Sequence, residues 1–548
     1  MTAQAPPAVP REPAAETAGG RWPAGAWPMA RFMLRRERRG IPIWVLAAGA
    51  LVLIQSVQSQ SLYDTPEKLA RLRATSEGNS AVVAMSGPDR LLDTIGGEVV
   101  FEIFAFAGIL VALMNMFLVG RHTRADEESG RAELLRSARV DRRALLSAAL
   151  VVAGLADLAV TVVVVLATVG TGLPLGGSLL FGVALGCLGL VFAGLAAAAA
   201  QLHENTRGVY GTVTALLGLA YALRAAGDAG NAALSWLSPF GWGQRTLPYV
   251  ADRWWPVAIS LVVAGGLVAV AVLALDRRDL GAGVLASQLG RARASRTLGS
   301  PLGLAWRLQR GPLVAWTAGA FGLGVMYGSI GQSIEQYVTD NPEFAQYLPG
   351  GADRIVDSYL AITIGVTFLL AVGYGLSATL RARAEETAGR AEPVLATPVA
   401  RPVWLGSHAG LALAGSAVVL LAGGFGIGLT YGLSISDPGE TSRTVAATTT
   451  YLPAVLLAVA VAVALVGGLP RVAAPVAWTF LGYLAVVALL GDSFDLPGWA
   501  RWLSPLDHTP QAPLEDVAAV PLTVMAALAA VTVAAGLAGI RRRDLEST

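Results

Sequence analysis

Two charged stretches contain most of the residues in this sequence that could do chemistry. They lie at 121–143 and 381–401, each between long apolar runs, and aligned without a gap they share arginine, alanine, glutamate, glycine and valine positions. Acidic, glycine and arginine side chains in such a repeated polar segment suit contact with another protein. The candidate contact residues are Glu127, Glu128, Gly130, Arg131, Glu133, Glu385, Glu386, Gly389, Arg390 and Glu392.

The spacing inside each stretch predicts a short charged helix. Glu127–Arg131 and Glu386–Arg390 have the glutamate-first, i to i+4 order that stabilises a helix. Pro393 and Pro398 are expected to end the second helix soon after Glu392, because proline cannot continue a helix interior. The alternative is that both stretches are solvated loops that only place positive charge on one side of a membrane.

Several kinds of catalytic and binding site are excluded. A nucleotide-binding P-loop needs a lysine in a glycine frame, and the only lysine, Lys68, has no such frame. The sequence has no zinc-ligand spacing, nucleophile elbow or metalloprotease motif. Cys187 lies in an apolar run and is expected to be buried, and a net charge of +2 gives no sign of nucleic-acid binding. We therefore expect a chain that is not itself an enzyme and holds no cofactor or metal.

The elements that carry these stretches are predicted to be membrane-spanning helices. The chain is 54% hydrophobic and only 14% charged, whereas soluble domains carry about 25% charged residues. Its mean hydropathy is +0.57. Apolar runs long enough to cross a bilayer predict twelve spans, at about 41–57, 99–119, 144–169, 175–200, 209–226, 256–275, 312–330, 358–380, 403–433, 451–469, 472–490 and 517–540.

Arginine distribution sets the predicted topology. The segments between spans 2 and 3, 6 and 7, and 8 and 9 are rich in arginine, as are those beside both termini, which places them in the cytoplasm. We expect a multi-pass protein of the bacterial plasma (inner) membrane, in contact with the lipid bilayer. The predicted divisions are a disordered tail 1–28, a first half 29–280, a linker 281–303 and a second half 304–548, with surface helices at 29–40 and 304–310.

An internal repeat joins these observations. Trp236–Pro239 recurs as Trp502–Pro505, and Arg277–Leu280 recurs as Arg542–Leu545, each at the matching place in its half. A unit of six spans that occurs twice keeps the same orientation in both copies. The predicted fold is thus an all-α polytopic membrane protein with two parallel six-helix repeats.

The repeated aromatic segment before the last span of each half has two possible roles. It could form an extracellular gate, or it could belong to the aromatic belt found at membrane interfaces. The candidate gate residues are Trp236, Leu237, Pro239, Phe240, Trp242, Trp502, Leu503 and Pro505.

Polar side chains inside predicted spans are candidates for a transport pathway. Asp157 is the deepest acid. It could face a cationic substrate or a water-filled crevice, but we favour a pairing with a neighbouring helix. The pathway candidates are Gln55, Gln58, Glu102, Asn115 and Asp157.

Taken in order, these features resemble an ABC-2 type exporter permease. The tandem form, with E-E-x-x-G-R-x-E in an inner loop and W-L-S-P before the last span, is similar to actinobacterial exporters of polyketide antibiotics (the tetronasin type) and to mycobacterial multidrug-efflux relatives. The resemblance implies alternating access between two halves and a hydrophobic or amphipathic small-molecule substrate. It also implies two copies of a separate ABC ATPase subunit, which would bind ATP and Mg and dock on the inner loops.

Two other functions remain as alternatives. A proton-coupled secondary drug transporter could also have twelve spans, but it usually has its long loop in the middle and needs buried acids for proton relay. A membrane-embedded transferase would need a polar catalytic group on an outer segment, and the outer segments carry only scattered acids.

Overall fold

The computed structural model of the chain describes residues 23–76, 80–132, 140–279, 281–284, 293–340, 354–490 and 497–544. The fold divides into two compact units, Met1–Leu289 and Gly290–Thr548, here called the first and second half. The protein is an all-α polytopic membrane protein. Every regular element among the described residues is helical.

The first half begins with a helix that lies beside the spans. Its helices are α1 (Ala26–Arg36), α2 (Gly40–Leu62), α3 (Pro66–Ser76), α4 (Ser80–Ser86), α5 (Ile95–Gly120), α6 (Ala144–Gly170), α7 (Leu175–Leu202), α8 (Thr206–Ala229), α9 (Pro239–Gln244) and α10 (Trp255–Arg277). As its amphipathic pattern predicts, α1 buries Met29 and Met33 while Arg31 and Arg35 stay exposed. Helices α3 and α4 are short and lie between the first two spans, α2 and α5.

The core of the first half is built around α5 and α7. These two helices bury most of their length, whereas α2, α8 and α10 keep apolar side chains exposed, as lipid-facing helices do. Small residues allow close approach: a Cβ on Gly182 would lie 2.8 Å from the carbonyl oxygen of Thr161 on α6. At its end, α5 continues into a π-helical turn, Arg121–Ala125, and a last turn, Asp126–Glu128.

The second half contains nine α-helices among its described residues. They are α11 (Pro301–Asp340), α12 (Ile355–Thr387), α13 (Glu392–Leu395), α14 (Arg401–Ser434), α15 (Gly439–Thr449), α16 (Leu452–Gly468), α17 (Ala473–Leu490), α18 (Gly498–Trp502) and α19 (Ala519–Arg542). Its core lies between α12, α14 and α16, around Phe368, Tyr374 and Tyr451. Glycines bring α11 against α14, since a Cβ on Gly324 would lie 2.2 Å from the carbonyl oxygen of Gly423.

Eleven helices in the described part of the chain are long and apolar enough to cross a membrane. At the twelfth span, predicted at 472–490, the structure places the apolar helix α17, Ala473–Leu490, which is not among these eleven. Predicted and observed boundaries agree within a few residues for most spans. The exception is α11, which begins at Pro301, well before the predicted start at 312.

One predicted element is wrong. The surface helix expected at 304–310 is not separate, because α11 runs without a break from Pro301 through Pro312. In the first half, by contrast, residues 37–39 divide α1 from α2. Most of the predicted tail, residues 1–22, and much of the predicted linker, residues 285–292, lie outside the described residues.

Candidate functional site: two ion-pair clusters and two outer turns

In the first half, a bidentate ion pair joins the loop after α5 to the residue that follows α10. Arg278 Nη2 lies 2.6 Å from Glu127 Oε1, and Arg278 Nη1 lies 2.9 Å from Glu127 Oε2. Both side chains are about 5% exposed or less. Arg124 Nη1 donates to the same carboxylate at 2.8 Å. We call Arg124, Glu127, Arg142 and Arg278 the first cluster.

Further bonds attach the first cluster to the end of α7. Arg278 Nε donates to Gln201 Oε1 at 2.7 Å, and Arg124 Nε donates to the Ala200 carbonyl oxygen at 3.2 Å. Arg142, which precedes α6, donates to the carbonyl oxygen of Arg278. One guanidinium therefore holds together the ends of α5, α7 and α10.

The second half contains a corresponding second cluster, Arg383, Glu386, Arg401 and Arg543. Arg543 Nη1 lies 2.5 Å from Glu386 Oε1, and Arg543 Nη2 lies 2.8 Å from Glu386 Oε2. Arg383 Nη1 is 3.3 Å from Glu386 Oε2. Arg401, which begins α14, donates to the carbonyl oxygen of Arg543 at 2.6 Å. Each member occupies the position that the sequence repeat assigns to its counterpart in the first cluster.

The predicted i to i+4 ion pairs are wrong. Arg131 lies 3.5 Å from Asp126, and Arg390 Nε lies 2.7 Å from Glu385 Oε2, so each arginine pairs with the acid five residues before it. The reason is that the helix has ended by this point. The next glutamate in each loop, Glu127 or Glu386, instead pairs with the arginines of its cluster.

A glycine ends the helix in both loops. Gly130 has φ +73° and Gly389 has φ +69°, the left-handed conformation in which glycine commonly terminates helices. The expectation that Pro393 ends the second helix is wrong, because this helix already ends at Thr387. Pro393 lies in the first turn of the separate helix α13, where proline is tolerated. Glu133 lies outside the described residues.

The other predicted loop residues differ in exposure. Glu128 Oε2 accepts hydrogen bonds from the Thr206 amide and hydroxyl, at 3.0 and 2.5 Å, and so caps the start of α8. The side chains of Arg131 and Arg390 are 61% and 57% exposed, and Glu392 is exposed. Glu127, Glu385 and Glu386 are inside their own half, so the exposed residues of the predicted set are Glu128, Arg131, Arg390 and Glu392.

A second set of charges attaches α1 to the first loop. Glu37 lies 2.8 Å from Arg121 Nη1 and 3.0 Å from His122 Nε2, while Arg36 lies 2.9 Å from Asp126. The hydrogen bond with His122, together with the charge of Arg121, lowers the pKa of Glu37 below its ordinary value of 4.5 even though burial opposes the shift. This network fixes the surface helix against the loop.

In the first half the aromatic outer segment forms a tightly packed turn, the first outer turn (Leu234–Gln244). Phe240 is fully buried, and Trp242 is 7% exposed with its indole N–H donating to the Trp236 carbonyl oxygen at 2.5 Å. Pro239 is also buried, whereas Leu237 is 65% exposed. Trp236 stacks on Trp255 at the start of α10, with ring centroids 5.0 Å apart.

The second outer turn (Gly498–Thr509) keeps the backbone pattern but not the packing. His508 occupies the position of Trp242, and its Nε2 lies 2.8 Å from the Trp502 carbonyl oxygen. Pro505 is buried, but Trp502 and Leu503 are 66% and 57% exposed. The two candidate gate segments are therefore unequal in structure.

An apolar cavity of about 210 Å³ adjoins the first outer turn. Helices α7, α8 and α10 form its walls together with Leu237, Pro239 and Trp242. Because its lining is apolar, this cavity suits a hydrophobic group, such as part of a small ligand or a lipid chain.

The pathway candidates do not converge on one site. Asn115 Nδ2 donates to Asp157 Oδ1 at 2.7 Å, and both side chains are buried. This is the favoured pairing of Asp157 with a neighbouring helix, here α5. Gln55 donates to Ser59 within α2, Gln58 is exposed and Glu102 is half-buried.

Sequence reasoning missed a buried charged group beneath the outer segments. Arg224 on α8 is fully buried, lies 3.9 Å from Asp228, and donates to the Met85 carbonyl oxygen at 2.9 Å. Arg245 pairs with the same Asp228 at 3.2 Å. The signal was available, since an arginine within an apolar span is rarely without a partner. Among the described residues, no group of three or more His, Cys, Asp or Glu is placed to hold a metal ion.

Comparison with known proteins identifies the family. A family model described as "Multidrug efflux system permease Rv1217c, C-terminal domain" matches residues 28–275 and 298–541. The multidrug efflux system permease protein Rv1217c of Mycobacterium tuberculosis is 39% identical over 529 residues, which cover 95% of this chain and 95% of the relative. The chain belongs to the multidrug efflux permease family. The resemblance to mycobacterial multidrug-efflux permeases is confirmed, and the permease is a multi-pass membrane protein.

Proposed function

We propose that this permease is the membrane-spanning subunit of an ATP-driven ABC exporter. It moves hydrophobic or amphipathic compounds out of the cell by alternating access between its two halves. ATP and Mg are bound and hydrolysed by two copies of a separate ATPase subunit. The permease lies in the bacterial inner membrane with both termini in the cytoplasm, as its arginine-rich segments favour.

The observation that carries the proposal is the pair of matching clusters. Both loops end a long helix at a left-handed glycine, and both are fixed by a buried Glu–Arg pair to the end of the last helix of their half. Two loops of the same construction on the arginine-rich side suit two copies of one partner. The exposed side chains of Arg131 and Arg390, at matching positions, offer that partner the same charge twice.

A separate energy source is required because the chain has no P-loop lysine. The deepest acid, Asp157, is bonded to Asn115, which favours a structural role for this residue over proton relay. The apolar cavity beside the first outer turn supports a hydrophobic cargo. The name of the mycobacterial relative, a multidrug efflux permease, agrees with such a cargo.

The proposal is tested by co-expressing the permease with an ABC ATPase subunit encoded beside its gene. We expect a stable complex whose ATP hydrolysis depends on the permease. Reversing both exposed loop charges, Arg131→Glu with Arg390→Glu, should disrupt the complex. The matched control, Arg277→Glu with Arg542→Glu, changes two exposed arginines on the same side outside the loops and should leave the complex intact. If no ATPase binds and transport follows a proton gradient, the proposal is wrong.

A further inference from the structure

The geometry of the two clusters points to a role for Arg278 and Arg543. Both arginines lie outside the loops, directly after the last helix of their half. We propose that these two arginines are positioning residues that transmit movement of each loop to the last helix of its half. This inference rests on the proposed function. Its failure can be separated from failure of that function, because the parent complex must first show ATP-driven export.

The contact is built to resist separation. An arginine and a carboxylate in a bidentate arrangement are held by two parallel hydrogen bonds, which fix orientation as well as distance. Glu127 and Arg278 form such a pair at 2.6 and 2.9 Å, out of water. A loop displaced by a bound partner would therefore carry α10 with it, since breaking the pair would leave a buried charge alone.

The same guanidinium also reaches a third helix. Arg278 Nε holds the Gln201 side chain at the end of α7. In the second half, Arg543 Nε donates to the Gly467 carbonyl oxygen and Nη2 donates to the Val466 carbonyl oxygen, both at 3.1 Å, at the end of α16. In each half, one arginine side chain thus connects the loop, the fourth long helix and the last long helix. We expect these three elements to move together.

The backbone of Arg278 and of Arg543 is also held by a second arginine. Arg142 in the first half and Arg401 in the second donate to the carbonyl oxygens of Arg278 and Arg543. Both donors stand where the chain leaves the loop and enters the next long helix. Each loop is consequently joined to the last helix at both of its ends, which a single surface ion pair would not achieve.

The neighbouring arginines provide a matched comparison. Arg277 and Arg542 precede Arg278 and Arg543 by one residue, at the end of the same helices, but their side chains are exposed. They carry the same charge and lie outside the clusters. A change that acts through total charge would affect both pairs of positions, whereas a change in transmission would affect only Arg278 and Arg543.

The experiment uses the permease–ATPase complex in proteoliposomes and measures compound exported per ATP hydrolysed. Arg278→Gln with Arg543→Gln should keep the ATPase bound but lower this ratio at least about tenfold. Arg277→Gln with Arg542→Gln should leave it within about twofold. An unchanged ratio in the first variant, or an equal loss in the second, would overturn the inference.

A second variant covers the case in which the glutamine substitutions prevent folding. Arg278→Lys with Arg543→Lys retains the charge that neutralises each glutamate but loses the two-pronged geometry. We expect a folded complex with an intermediate ratio. Full coupling in the lysine variant would show that charge alone suffices and would also overturn the inference.

A chemical cross-link distinguishes a loss of transmission from a loss of folding stability. Glu127→Cys with Arg278→Cys, in a Cys187→Ala background, places thiols where the first ion pair was. A short bifunctional thiol reagent should raise the export ratio of this variant several-fold, because it restores the connection without the charges. If the cross-link forms and the ratio stays low, the connection is not what couples the loop to α10.

Discussion

The first half holds its cluster arginine with a side chain, and the second half holds the corresponding arginine with backbone. Gln201 Oε1 accepts from Arg278 Nε at 2.7 Å, whereas the Gly467 carbonyl oxygen accepts from Arg543 Nε at 3.1 Å. Glycine is required at the second position because α19 approaches so closely that a Cβ on Gly467 would lie 2.0 Å from the Gly536 carbonyl oxygen. The Glu–Arg pair is thus preserved although its support differs.

Other supports around the loops differ in the same way. In the first half, α1 is attached through Glu37, which contacts Arg121 and His122. Leu308 occupies the position of Glu37 in the second half, and the helix that carries it continues directly into the span. What the two halves share is the bidentate pair and its glycine-terminated loop. We infer that these shared parts carry the common function and that the rest provides each half with its own stability.

The largest expected effect tests whether the two outer turns differ in packing. Trp242→Ala should lower the free energy of unfolding by about 3–5 kcal/mol, because it empties a buried site beside α7. His508→Ala, at the matching but exposed position, should change it by less than about 0.5 kcal/mol. Thermal unfolding of both variants in the same detergent measures the difference. Similar losses would mean that the two turns are packed alike.

The next prediction exchanges the two residues that hold the cluster arginines, Gln201 and Gly467. Gly467→Gln should destabilise the protein by about 3 kcal/mol, because the new side chain has no space against α19. Gln201→Gly should cost about 2 kcal/mol through two lost hydrogen bonds, with Arg278 and with the Ala197 carbonyl oxygen, and through the added backbone freedom. Unfolding midpoints of the two variants test the order. A tolerated glutamine at 467 would contradict the close helix approach.

A smaller loss is expected from the buried charge of Arg224 in the first half. Arg224→Leu should cost about 2–3 kcal/mol, because Asp228 loses an ion-pair partner in a buried site. Leucine is the natural residue at the corresponding position, Leu490. Arg207→Leu, an exposed arginine on the same helix, serves as the control and should be nearly neutral. Equal unfolding midpoints for the two variants would remove the distinction between the halves at this position.

The smallest effect depends on pH. Glu37→Gln should cost about 1–2 kcal/mol at pH 7 through loss of its charged hydrogen bonds. Since folding lowers the pKa of Glu37, its contribution is present above 4.5 and is lost as the pH falls through the lowered value. The stability difference between parent and variant should therefore shrink at low pH. A difference that is constant from pH 7 to pH 4 would contradict the ionic contact.

Much of this architecture could be predicted from the sequence, since spans depend on apolar length and α1 on arginines that alternate with apolar residues. The repeat also pointed to Glu127 and Glu386 as candidate residues, and it contained Arg278 and Arg543 without giving them a role. What it could not predict was that these residues pair with each other, because the partners are distant in sequence while nearer pairs looked equally good. The helix ends were missed for a local reason. Proline was weighed, but the glycine at the left-handed position decides where each helix stops.

The proposed source of energy is tested most directly by transport into proteoliposomes that contain the permease and its ATPase subunit. We expect uptake of a hydrophobic compound to require hydrolysable ATP and to continue when a protonophore abolishes the proton gradient. The amount of compound transported per ATP should also fall at least about tenfold when the permease carries Arg278→Gln with Arg543→Gln. Transport that proceeds without ATP, or that stops on addition of the protonophore, would contradict the account.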